Sequence, residues 1–103
     1  IKSRPLGTPE QIKQMLPAHL TYQKALASKG KIFMAGPTSD CTGSHMQGFS
    51  MIIYRASSLE DAKELADGDP MHSQNLKSYI LYKWLVNECI PSLIPDVKKL
   101  RDE

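Results

Sequence analysis

The sequence predicts an α+β domain of strand and helix order βαββαβ, with the first strand truncated. Three observations carry it: a long capped helix with an apolar stripe near the start, two β-rich runs in the middle, and a second capped helix followed by another β-rich run. In that arrangement two helices cover one face of an antiparallel sheet.

The first helix starts at Pro9, because Thr8, Pro9 and Gln11 supply an N-cap, a proline at the first helical position and the reciprocal capping partner. Gly30 is a natural left-handed stop after Ser28 and Lys29. Pro17 removes an internal hydrogen bond and predicts a kink or a restart. At 3.6 residues per turn Met15, His19, Tyr22 and Leu26 fall in one stripe, with Ile12 and Leu16 beside them and Lys13 and Lys24 opposite.

A strand follows over residues 31–35, ended by Gly36-Pro37. A polar connection from Thr38 to Gln47 leads to a second strand from Phe49 to Tyr54, giving a hairpin with a long loop. Ser57 with Glu60 reads as a second capping box, and Leu59, Ala62, Leu65 and Ala66 give that helix one apolar face up to Gly68. Asp69-Pro70 breaks it, a polar stretch runs from Met71 to Asn75, and Ser78 to Val86 reads as a strand. A short helix is expected around Val97 to Leu100 in a tail of about residues 88–103. Ile1 to Arg4 supply the end of the missing first strand, which points to a missing or processed N-terminus on a single domain spanning 1–103. Completed this way, the order is that of the ferredoxin-like split βαβ. Phe49, Met51 and Ile53 alternate with Ser50, Ile52 and Tyr54, so both faces of that strand are substantially apolar and a second subunit is the natural cover.

Composition narrows the function classes. A 103-residue chain that is 41% hydrophobic forms one core of limited size and gains from a partner subunit. Thirteen basic and 11 acidic residues are dispersed along the chain, which gives no phosphate-neutralising footprint and makes nucleic acid an unexpected partner. No run approaches the roughly 20 apolar residues that cross a bilayer, so no membrane partner is expected. Cys41 and Cys89 lack CxxC spacing and read as reduced thiols of a cytoplasmic protein; Cys41, after Asp40, is a candidate nucleophile with no adjacent activating feature. Asp40, Cys41 and His45 follow no structural zinc pattern, and no phosphate loop, dinucleotide fingerprint or HExxH string occurs, so neither metal nor cofactor is expected.

Four segments, His19-Leu20-Thr21-Tyr22, Gly30 to Pro37, Ser58 to Ala62 and Asp67-Gly68-Asp69-Pro70, resemble in order and spacing the YciI-like proteins, over about Pro17 to Trp84. The resemblance implies a dimeric α/β barrel, in which two ferredoxin-like sheets pack together and each subunit holds a small cleft between first helix and sheet. Related barrels are muconolactone isomerase and a chlorohydroxyhydroquinone dehydrochlorinase. The family's helix histidine matches His19; Asp69 of the Asp-Pro step and Asp40 beyond Gly36-Pro37 are candidates for its aspartates. The shortened N-terminus and longer tail depart from the family pattern.

Histidine is the side chain whose ordinary pKa lies nearest neutrality, so an imidazole beside a carboxylate can take or give a proton at working pH. His19 with Asp69 or Asp40 is the candidate acid/base pair of a cofactor-independent lyase or isomerase acting on a small cyclic or aromatic-derived molecule, with Arg4, Tyr22 and His45 as candidate substrate contacts. The competing reading of His19 is a core histidine satisfied by a backbone carbonyl, and that of Asp69 ordinary turn chemistry. His72 reads as a solvated loop residue, and Trp84 and the last strand's tyrosines as packing between sheets. The alternative function is a non-catalytic small-ligand-binding or dimerisation domain.

Overall fold

The computed structural model describes residues 1–92, apart from the side chain of Gln47. Its elements are β1 (Lys2–Pro5), α1 (Pro9–Ser28), β2 (Ile32–Ser39), β3 (Met46–Tyr54), α2 (Leu59–Asp67), α3 (Pro70–Ser73) and β4 (Lys77–Ile80). The strands form one sheet in the order β2-β3-β1-β4, antiparallel at every seam, which is the ferredoxin-like arrangement expected from the sequence.

The α1 start is as the sequence specifies: Thr8 Oγ1 accepts from the Gln11 amide and the Gln11 side chain accepts from the Thr8 amide. The helix runs past Pro17 without restarting. Pro17 lies on the exposed side, where the carbonyl left without a partner can bond water, so the missing N–H costs the helix little. Gly30 follows the helix with φ +72°, the left-handed stop that glycine takes without a Cβ penalty.

Several boundaries differ from the sequence reading. Gly36-Pro37 does not end β2, which continues to Ser39. Because β2 is an edge strand, the absent N–H of Pro37 breaks no ladder bond. The loop shortens accordingly to residues 40–45. The α2 cap is Ser58, whose side chain accepts from the Asp61 amide, while Ser57 donates to the Asp61 carboxylate instead. The polar stretch after Asp69 contains α3, and β4 covers 77–80 rather than 78–86. The expected tail helix lies outside the described residues.

Strand alternation sorts the sheet into two faces. Ser3, Ser50, Ile52, Tyr54, Lys77 and Tyr79 face the helices, and Lys2, Arg4, Phe49, Met51, Ile53 and Ile80 face away. The core between sheet and helices is built on Leu26, Ile32 and Ile52, with Tyr22, Tyr54 and Leu65 packed against it. On the outer face Met34, Met51 and Ile80 are each about half exposed. Among the described residues no helix is long and apolar enough to cross a membrane.

Candidate functional site

The N-terminal end of α3 is assembled by the Asp69-Pro70 step. Asp69 takes the extended conformation of an N-cap and its Oδ1 accepts from the Met71 amide at 3.0 Å, while Pro70 occupies a first-turn position that needs no N–H. The cap buries the carboxylate completely, 0% exposed, and directs it at α1. There His19, 8% exposed in the middle of the apolar stripe, places Nδ1 at 2.8 Å from both Oδ1 and Oδ2.

This geometry determines the imidazole's chemistry. A carboxylate only accepts, so Nδ1 carries the proton and donates it between the two oxygens. Nε2 is then the nitrogen with the free lone pair in the neutral ring. It has no hydrogen-bond partner among the described residues and is not a sealed buried atom. The orientation is that of a histidine tautomer held by a buried acid, the arrangement used where imidazole transfers protons.

Around the pair lie three hydroxyls and a second histidine. Tyr22, on the His19 stripe, donates its O–H to the Leu65 carbonyl at 2.7 Å and so ties α1 to α2; burial, and then the charge of Asp69, raise its pKa. The Tyr54 hydroxyl is buried with no hydrogen-bond partner, and burial with the nearby charge of Asp69 holds it firmly protonated. Tyr79 packs on the His72 ring at 4.8 Å and donates to Asp67. It therefore belongs to the helix side of the sheet and not to a packing between sheets.

His72 corrects the reading of a solvated loop residue. It is buried, its Nδ1–H donates to the Ala66 carbonyl at 2.7 Å, and Nε2 accepts from the Ser3 hydroxyl at 2.8 Å. The neutral ring satisfies both of its nitrogens in this way, and burial, which disfavours the charged form, lowers its pKa below the ordinary 6.5. The unfolded chain therefore binds the proton first, and stability present above pH 6.5 is lost as pH falls toward the folded-state value. Urea midpoints are expected to fall between pH 7 and pH 5, and to fall less in His72→Gln.

The other sequence candidates sit apart from this pair. Asp40 is held in the hairpin loop, accepting from the Thr42 amide at 3.0 Å and from its hydroxyl, which keeps the Asp40 carboxyl below the usual range. His45 is exposed and faces Asp40 at 3.5 Å across that loop. Arg4 lies on the outer face, 5.1 Å from the Phe49 ring centre, with Lys2 at 4.8 Å from the same ring. Alternation along β1 turns Ser3 toward the helices and therefore Arg4 away from His19. Trp84 is 62% exposed and belongs to no buried core among the described residues. Among the described residues no three or more His, Cys, Asp or Glu side chains converge on a metal position.

A cavity of about 780 Å³ is bounded by Met34, Met51, Ile53, Leu81, Trp84 and Val86, among others. Neither His19 nor Asp69 borders it, so it is not the expected cleft beneath the first helix.

Fold and site together define a small α+β domain with a buried carboxylate orienting a helix histidine. Residues 1–85 match the YCII-related domain, and the chain belongs to that family. Comparison with curated proteins returns no match.

Proposed function

We propose that the chain is a cofactor-independent proton-transfer enzyme, a lyase or isomerase of a small cyclic or aromatic-derived molecule. The observation that carries this reading is His19 Nδ1 at 2.8 Å from both oxygens of a fully buried Asp69, with Nε2 left without a hydrogen-bond partner among the described residues. Nε2 takes a proton from an acidic carbon of the substrate, and Asp69 holds the ring and stabilises the imidazolium that results. The same nitrogen returns the proton at another carbon, or to a leaving group, completing isomerisation or elimination. The test does not depend on the identity of the natural substrate: small lactones and cyclic ketones are incubated with the protein in D₂O and followed by proton NMR. Enzyme-dependent exchange at the carbon beside the carbonyl supports the reading, and its absence across such a panel favours a ligand-binding domain.

The working form proposed is a homodimer closed through the outer sheet face. Met34, Met51 and Ile80 stand half exposed there, and Tyr82, Trp84, Leu85 and Ile90 of the segment after β4 are more exposed still. Burying an exposed Leu or Met side chain contributes about 1.5–3 kcal/mol, so a few of them covered by a second copy add appreciably to a small core. Met51→Lys is expected to convert the dimer to monomer in analytical ultracentrifugation; a wild-type chain that sediments as a monomer would sink the proposal.

A further inference from the structure

Among the described residues, Lys77 is the one cation whose placement on the helix side of the sheet the pair described above does not explain. It begins β4 opposite Pro5, on the same face as Ser3, Ser50 and Tyr79. Ser50 belongs to β3, and β1 lies between β3 and β4. The lysine side chain therefore crosses the face of β1 to bring Nζ within 3.5 Å of the Ser50 hydroxyl. Lysines on half-buried strands ordinarily turn their ammonium to water or to a carboxylate. Here the residue is partly buried, and no carboxylate of the described residues pairs with it.

The neighbourhood is polar in a specific way. Burial lowers the ammonium's pKa while the charge of Asp69 raises it, and His72 in turn feels Lys77, so the lysine lies within electrostatic reach of the site. Asp69 does not serve as its counter-ion by contact, because its oxygens are engaged by Nδ1 of His19 and the Met71 amide. A partly desolvated ammonium beside a hydroxyl, with three N–H donors and no anionic partner in contact, is matched by an anionic ligand.

We infer that Lys77 and the Ser50 hydroxyl anchor a carboxylate of the substrate on the sheet floor, leaving the rest of the molecule to face His19. This rests on the proton-transfer reading and adds to it a substrate class: small organic carboxylates. A carboxylate held by Lys77 and Ser50 orients the acidic carbon toward Nε2, and a neutral analogue loses that anchor.

The experiment uses benzoate and its uncharged counterpart benzamide as probes, titrated into the full chain while amide and imidazole resonances are followed by NMR. Benzoate is expected to shift the resonances of Ser50 and His19, with benzamide binding weaker by about tenfold or more. Lys77→Met and Lys77→Gln should each lose about tenfold in benzoate affinity, and Lys77→Arg should retain most of it. Two variants of different polarity guard against a loss of fold, which thermal unfolding monitors. Equal affinity for the two probes, no benzoate binding, or unchanged binding in both neutral variants overturns the proposal. His19→Gln separates this proposal from the one it rests on. If that variant keeps deuterium exchange while benzoate binding still depends on Lys77, the histidine chemistry falls and the anion anchor stands.

Discussion

Replacing His19 by Gln is expected to reduce enzyme-dependent deuterium exchange by about 10²–10⁴-fold, the usual contribution of a positioned acid or base. Glutamine is close to histidine in size and its amide can still donate to Asp69, so the apolar stripe of α1 and the buried carboxylate both keep a partner. The fold should survive, as measured by circular dichroism and thermal unfolding, because the change removes only the titratable nitrogen. A variant that folds and exchanges deuterium at the wild-type rate would show that His19 is a core residue. The two readings of the histidine share one geometry: the stripe that buries it also delivers Nδ1 to the carboxylate.

Asp69 is expected to show the largest effect on stability. Its carboxylate caps α3 and fixes His19, so Asp69→Ala removes a cap worth about 1 kcal/mol and leaves a buried donor unpaired at about 1–3 kcal/mol more. Asp69→Asn keeps an acceptor for the Met71 amide and should restore most of that stability. The asparagine should not restore the rate, because a neutral amide cannot stabilise the imidazolium and can present its N–H₂ to the ring, favouring the wrong tautomer. Denaturant midpoints and exchange rates measured on both variants separate the two roles. Asn matching wild type in rate would overturn the assigned function of the charge.

The parts of this molecule that are legible in the sequence are those fixed by short-range rules. Thr8, Pro9 and Gln11 form the cap they spell, Gly30 is the left-handed stop, and the Met15, His19, Tyr22 and Leu26 stripe does turn inward. The sheet order follows from element order once both helices must lie on one face. Asp69-Pro70 carries the same signature as Thr8-Pro9 and starts a helix rather than merely breaking one, so the signal for α3 is present but shares its residues with ordinary turn chemistry. Once α3 is recognised, Met71 and His72 become candidates for burial.

Other features have no local signal. Alternation puts Lys77 and Tyr79 on one face of β4, but that this is the face of Ser3 and the helices follows from the pairing of β4 with β1 in a register set by tertiary packing. A lysine at a strand's start otherwise reads as solvated. Likewise β4 covers only Lys77–Ile80 although the sequence stays β-prone through Val86, because a strand needs a paired neighbour as well as local propensity. The pairing of His19 with Asp69 rather than Asp40 is a long-range fact, and Asp40 is instead satisfied by Thr42 two residues away.

The position of Pro37 constrains how copies of this chain can meet. At the β2 edge of the sheet it offers no N–H to an incoming strand, and the opposite edge, β4, is only four residues long. Neither border is a good template for adding another chain's strand, which would let sheets grow without limit. In the proposed dimer, association would fall to the broad outer surface, where two copies face to face would cover the exposed apolar side chains and the assembly would stop at a finite size.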